Sequence, residues 1–372
     1  LRLLDGRIAC DVCRTVKGIA LNRFFRYLIM LAALLTGLIT LTTTLAGRFS
    51  AGAQLSYVTQ KDSNNWDIAL IDTRHRLSID LTERLLPGNA RNRLPTWSPD
   101  GRTVAFVSDY GGETHIYLYK PETQSFRQLT QTDNVYSSLS WTPDGERLVV
   151  SATLSTPIGV SEIDVTTGRI TYLTDASEPD THALIDPTGQ SIAYVRYDVR
   201  SPRLIRYNRA DQTSQCAAHC SDSIRQIGVL SWSPDGTRLA YVYNPFEHKR
   251  VLYVVDLASG AASGLVEGAS LISDVAWSPD GTQLVISTED EMHIIPSTGA
   301  VAQPMGSVLA PLRLGGFIGE MDWSADGKHI ALVMSSQTMP QEIMLFDVAT
   351  GGLRRLTASE QLDWAPTWRP AS

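Results

Sequence analysis

At 372 residues, 43% apolar and 19% charged, the chain has a globular composition with room for one large β domain or two ordinary ones. The net charge is -7, but residues 1–48 hold seven Lys/Arg against two Asp/Glu, so everything after them carries -12. An acidic body excludes nucleic acid as the expected partner, because phosphate contacts need a basic face.

Residues 1–20 space Leu1, Leu4, Ile8, Val12, Val16 and Ile19 at three- and four-residue steps, the pattern of one helical face. Residues 1–23 therefore read as a basic cytoplasmic segment, either an amphipathic helix on the membrane surface or a frayed tail. Residues 27–47 carry no charge. At about 1.5 Å per residue they span a hydrocarbon core of about 30 Å, so a transmembrane helix is predicted over 24–47, with a linker over 48–54. Arg23 and Arg26 precede the apolar run and only Arg48 follows closely. That bias puts the N-terminus in the cytoplasm and the rest outside it, as a single-pass protein of the cell membrane. A cleaved signal peptide, with "AGA" at 51–53 as its processing site, is the alternative; the long basic region and long apolar run favour an anchor. Cys10 and Cys13 form a C-x-x-C with no second pair on that side, and read as two helix cysteines.

Beyond the linker the chain repeats itself. "WSPDG" occurs at 97–101, 232–236 and 277–281, with "WTPDG" at 141–145, "WSADG" at 323–327, a degraded "IDPTG" at 185–189 and a final "WRP" from Trp368. The leading positions are 97, 141, 185, 232, 277, 323 and 368, in steps of 44 to 47, and six of the eight tryptophans fall on them. Each unit reads as four short strands. An apolar approach leads into S-P-D-G, where Pro presets φ and Gly accepts the positive φ of a tight turn. An alternating run follows, such as "TVAFVS" at 103–108, then a third such as "HIYLYK" at 115–120. A last strand often ends in "LT", as at 129–130, 173–174 and 356–357. Four strands every 45 residues or so is the signature of a propeller blade. Residues 55–82 supply second, third and fourth strands ("LSYVTQ", "WDIALID", "LSIDLT") without a first, and the C-terminus supplies a first strand without the rest. The expected fold is all-β: a seven-bladed propeller over 55–372, its ring closed by the C-terminal strand.

The stretch "PTWSPDGRTVAFVSDYGGETHIYLY" and its copies resemble the TolB-type β-propeller repeats, over about residues 55–370. The resemblance implies the fold more than a function. TolB pairs a six-bladed propeller with a separate N-terminal domain. This chain has seven leading positions and an apolar segment where that domain would be, so TolB's partners do not carry over. Relatives of the fold also accompany prolyl-oligopeptidase-like hydrolases, which implies a G-x-S-x-G elbow. The sequence has none, and only four residues follow Trp368, so a hydrolase domain is not expected here.

Trp97, Trp141, Trp232, Trp277, Trp323 and Trp368 are expected as blade core, since each ring buries roughly 150–250 Å². The repeated Asp reads as a turn residue, not a catalytic carboxylate. The seven His are scattered and the acidic loops lack EF-hand spacing, so no metal, no cofactor and no catalytic residue is expected. Cys216 and Cys220 are a candidate disulfide; in a straight strand they would lie too far apart, so the bond requires a turn. Loops entering first strands and joining second to third strands should share one face. They carry Arg93, Asp109, Glu113, His182, Glu247 and His248 as candidate interaction residues, with Asp274, Glu320 and Asp322 near the central channel. The longest loop, 304–318, is rather apolar, and reads as a docking element or a channel plug. The expected function is a non-catalytic extracytoplasmic binding scaffold, an accessory subunit whose partners are other subunits of a membrane complex. An axial-pocket enzyme acting on glycan or peptide, or a periplasmic ligand sensor, is the alternative.

Overall fold

In a computed structural model of the chain, residues 54–370 are described apart from short segments at 87, 154–157, 175–178, 198–200, 219, 221–225, 247–248, 269–271, 289–290, 299–302, 305–311 and 314–315. The predicted basic segment over 1–23, the transmembrane helix over 24–47 and the linker up to residue 53 lie outside the described residues. Among the described residues no helix is long and apolar enough to cross a membrane.

Seven sheets, antiparallel but for one short pairing, follow one another along the described residues. Blade 2 is Asn92–Trp97, Val104–Ser108, His115–Lys120 and Ser125–Gln128, paired in that order. Blades 3 and 4 begin at Tyr136 and Asp180, and blade 7 runs from Phe317–Trp323 to Leu353–Arg355. Blade 5, starting with Gln226–Trp232, gains a fifth strand: Gln303–Pro304 lies parallel to Ala262–Gly268. Those two residues come from blade 6, whose own fourth strand is Leu312–Arg313. The apolar 304–318 segment is thus partly strand at both ends, with residues 305–311 and 314–315 outside the described residues. Blade 1 is split across the termini. Leu362–Trp368 pairs antiparallel with Leu55–Asp62, from Leu55 opposite Trp368 to Gln60 opposite Leu362. Asn65–Asp72 and Leu77–Asp80 complete it, and a single helical turn at Leu81–Leu85 ends the predicted fourth strand earlier than the sequence suggests.

The repeated letters have local causes. In each turn the Ser or Thr after the leading residue donates to the Asp two positions on, as Ser98 Oγ does to Asp100 Oδ1 at 2.5 Å. The same Asp accepts the Arg102 N–H, and Gly101 takes φ +66° where a side chain would be strained. In the degraded copy Asp186 alone accepts from Thr188, Gln190 and Ser191, so the turn survives without Trp or Ser. The "LT" endings work the same way in four blades. Thr82, Thr130, Thr174 and Thr357 each turn a hydroxyl oxygen to a third-strand N–H, those of Ile68, Ile116, Val160 and Ile343, at 2.9 to 3.0 Å.

The leading tryptophans hold the blades together. Trp97, Trp141, Trp277 and Trp323 are buried; Trp232 and Trp368 are half-buried. Trp141 Nε1 donates to the Thr96 carbonyl at 3.2 Å, Trp232 to Leu184 at 3.1 Å, Trp277 to Ser231 at 2.9 Å and Trp368 to Asp322 at 3.0 Å. Every acceptor sits one position before the leading residue of the preceding blade. The two remaining tryptophans, Trp66 and Trp364, pack edge to face at 5.3 Å within blade 1.

Removal of residues 364–372 takes away most of the closing strand, the Trp368 ring and its indole bond to blade 7. We expect a loss of about 3 kcal/mol or more, since the half-buried Trp368 ring sits at the low end of the cost of deleting a Trp side chain and the lost strand pairing adds to it. It should appear as a lower midpoint in urea denaturation; an unchanged midpoint would mean that the ring closes in some other way.

Candidate functional site

The first strand of each blade lines the channel and is the inner edge of its sheet, so alternate N–H groups there have no ladder partner. Six of these strands slip register in front of the leading residue. In four of them the residue three positions before it is left-handed: Leu94 (φ 55°), His182 (φ 57°), Val229 (φ 48°) and Ala365 (φ 51°). These are β-bulges, which bend the strand and aim local groups into the channel.

Asp274, Glu320 and Asp322 occupy this zone, as the sequence suggested, and the structure brings them together. They are not a free acidic patch. The Met321 N–H donates to Asp274 Oδ2 at 2.6 Å, the Ala365 N–H to Glu320 Oε2 at 2.7 Å, and the Trp368 N–H to Asp322 Oδ2 at 2.7 Å. Each carboxylate reaches the next blade and satisfies an inner-edge N–H. Asp274 and Asp322 lie half-buried between strands, and burial pushes both carboxyls up to about 7 against the pull of those N–H bonds. Glu320 and Asp322 also raise Asp274 through like charge, and burial raises Glu320 itself.

The remaining surface candidates are scattered. Asp109 Oδ1 accepts the Arg91 N–H at 2.6 Å and so pins the entry to blade 2, with Arg93 half-buried beside it. Glu113 is exposed, its carboxylate 3.4 Å from His115 Nε2. His182 stands apart in blade 4, bonded through Nδ1 to Thr181 Oγ1, and the surrounding protein pushes its pKa down. Glu247 and His248 lie outside the described residues. Asp180, two residues before His182 in the same strand, is fully buried in a two-bond pair with Arg196. Cys216 and Cys220 are joined as a disulfide, with Cα atoms 5.8 Å apart, and the strand that carries Cys216 ends at Ala218. Among the described residues no three His, Cys, Asp or Glu converge on a point where a metal would sit.

Of the apolar rim, sequence reasoning reached Phe317 only as part of the apolar 304–318 loop offered for docking, and missed Leu362 and Tyr110. Phe317 and Leu362 open the first strands of blades 7 and 1, each six positions before its leading Trp, and are 40% and 38% exposed. Tyr110, 38% exposed, stands on the same face in blade 2. The signal was available as two apolar residues at one repeat position.

Comparison with known proteins matches the family model described as the TolB beta propeller domain at residues 39–215 and 180–372. The chain belongs to that family. It is 36% identical over 96 residues to the uncharacterized peptidase YuxL of Bacillus subtilis, covering 26% of this chain and 14% of that protein. It is 30% identical over 113 residues to the Tol-Pal system protein TolB of Alcanivorax borkumensis, covering 29% of this chain and 24% of that protein. The matched regions thus span less than a quarter of those relatives. The crystal structure of TolB from Acinetobacter baumannii superposes with a TM-score of 0.54 at 19% identity, over 86% of this chain and 67% of that one, which shows a shared fold.

The raised carboxyls set a pH dependence. A carboxyl with a folded pKa near 7 and an unfolded value near 3.9 holds more protons folded than unfolded between those values, so stability falls as pH rises through that window. Turn carboxylates such as Asp235, held low by the Ser233 hydroxyl, lose their contribution only below it. We expect the protein to be more stable at pH 5 than at pH 7.5 by roughly 1–2 kcal/mol, after discounting for water in the channel. The double variant Asp274→Asn, Asp322→Asn keeps both acceptors and should flatten the profile. Thermal melts across pH 4.5–8 check this; an equal slope in the variant would place the titration elsewhere.

Proposed function

We propose that the chain is a non-catalytic, protein-binding scaffold, tethered to a membrane by residues 27–47 with its propeller outside the cytoplasm, and an accessory subunit of a larger membrane complex. The observation that carries the binding role is the apolar rim. Phe317, Leu362 and Tyr110 are exposed on one face of blades 7, 1 and 2, among charged side chains such as Arg91 and Glu113. Apolar anchors in a polar surround are the composition of a protein interface. The channel carboxylates fit this reading, since each is committed to a neighbouring blade and not to a ligand. The tether rests on the uncharged run and the basic residues before it.

A second reading follows from the match to a peptidase: a propeller that controls access to a hydrolase. Labelling with a fluorophosphonate serine-hydrolase probe separates the two, since a scaffold takes no label while a chain working with a hydrolase brings a labelled partner along.

Purification of the full chain in mild detergent, followed by mass spectrometry, should recover stoichiometric membrane subunits. The double variant Phe317→Ser, Leu362→Ser should lose them while melting within about 2 °C of wild type, because exposed side chains contribute little to stability. A chain that runs alone under every detergent tried, or a variant that keeps its partners, would sink the reading.

A further inference from the structure

The face opposite the rim carries the S-P-D-G turns, and there the blade junctions repeat one device. Between blades 5 and 6, Arg238 lies over the Trp277 ring at 4.7 Å, and its Nη2 donates to the Gly281 carbonyl at 3.0 Å. Between blades 1 and 2, Arg369 lies over the Trp97 ring at 5.1 Å and against Gly101, where an added Cβ would meet its side chain at 3.1 Å. At the junction of blades 3 and 4, where Ile185 replaces Trp, Arg209 of blade 4 donates through Nη1 to its own blade's Gly189 carbonyl at 2.6 Å and through Nε to Glu162 of blade 3 at 2.7 Å. Three junctions thus place a guanidinium on the turn glycine, and two of them stack it on the leading indole. The indole face attracts a cation, and the glycine carbonyl fixes its plane.

Two junctions with both Trp and Gly lack an internal guest at the glycine among the described residues: that between blades 6 and 7, where Gln283 stands at the repeat position of Arg238 and an added Cβ on Gly327 would meet only Pro279, and that between blades 2 and 3, which opens on a crevice. Trp141 and Gly145 are in place, but Thr103 stands at the repeat position of Arg238, six residues after the leading Trp of its blade. The result is an open crevice of about 560 Å³, lined by Trp141, Thr103, Gly145 and Phe126, with Pro99 and Pro143 on its sides. An added Cβ on Gly145 would meet only Pro99, at 3.9 Å. Arg127, from the outer strand of blade 2, takes the Val165 carbonyl. Val165 is the counterpart of Ser297, which Arg238 also contacts at its junction. Among the described residues no cation stacks on Trp141 and nothing bonds to the Gly145 carbonyl. Asp100 and Asp144 flank the opening, and Lys120 and Arg127 sit on its outer side.

We propose that this crevice is a docking site for an arginine side chain presented by a protein partner, stacked on Trp141 and donating to the Gly145 carbonyl. The molecule's own Arg238 and Arg369 are the templates for that guest. The proposal shares with the scaffold reading only the premise of a protein partner, and its test reads Trp141 alone, apart from any result at Phe317 and Leu362.

The experiment labels the full chain, in detergent, with 5-fluorotryptophan, and assigns the Trp141 resonance by its loss in Trp141→Phe. The probe is the capped tripeptide acetyl-Gly-Arg-Gly-amide, with the lysine tripeptide as control. The arginine peptide should shift the Trp141 resonance saturably, with a midpoint between about 1 and 100 mM, as suits one stacked side chain. The lysine peptide should bind at least about threefold more weakly, lacking the planar fork. Thr103→Arg should move the Trp141 resonance by itself, abolish the response to peptide and raise the melting temperature by about 2 °C. If Thr103→Arg melts below wild type, the two peptide titrations on the wild-type chain decide alone. A Trp141 resonance unmoved by the arginine peptide overturns the proposal. So does equal binding of the lysine peptide, or a shift shared by all eight tryptophans.

Discussion

Closure of the ring is the constraint on which the rest depends. A propeller blade buries its faces only against two neighbours, so a ring with one open junction exposes two sheet faces at once. Here the closing contact is a strand pairing within blade 1, between Leu362–Trp368 and Leu55–Asp62. Its partner across the junction is blade 7, reached by the Trp368 indole on the Asp322 carbonyl and by the Asp322 and Glu320 carboxylates on the Trp368 and Ala365 N–H groups. The closing strand is therefore tied to blade 7 by three hydrogen bonds across the inner edge, and its pairing with Leu55–Asp62 joins the two ends of the chain.

That arrangement explains where the acidic residues are. An inner-edge strand that bulges leaves N–H groups turned toward the channel, and a buried N–H without an acceptor costs more than a hydrogen bond gains. Asp274, Glu320 and Asp322 supply acceptors from the preceding blade. The same burial that makes them good acceptors raises their pKa, so the latches carry an electrostatic cost near neutral pH. A carboxylate cluster lining a channel resembles a binding site from sequence spacing alone. Its hydrogen bonds identify it as a set of blade connectors.

The sequence discloses what is periodic and conceals what is not. The leading positions, six of them Trp, fixed the blade count because their spacing is a backbone property that recurs six times across seven positions. The S-P-D-G and "LT" letters could be read because side chain and backbone meet within one unit, as in Ser98 with Asp100 or Thr130 with Ile116. The left-handed bulge residues could not be read. Leu94, His182, Val229 and Ala365 share a conformation and no chemistry, since the strain is imposed by packing around the channel. The fifth strand on blade 5 was equally hidden, because two residues of extended chain carry no signature. For the site, the acidic trio could be placed at the channel but its bonds to the next blade could not be read; Phe317 fell within the apolar 304–318 loop offered for docking, and Leu362 was passed over as an ordinary strand start.

The two faces of the disc are built from different material, and this bears on how they can bind. The rim face is made of loops that vary in length and charge from blade to blade, so a partner there meets a surface without symmetry. The turn face is made of one turn repeated, so five junctions offer the same indole and glycine carbonyl, while Ile185 replaces the indole in blade 4 and Arg-Pro follows Trp368 in blade 1. Arg238 and Arg369 fill two of the five from within the chain, and Arg209 reaches the turn glycine of blade 4. A repeat protein that supplies its own ligand at some junctions defines, by comparison, the chemistry that fits an open one. Repetition therefore makes the turn face informative about ligand class from a single sequence, whereas the rim face reveals only that something apolar is met there.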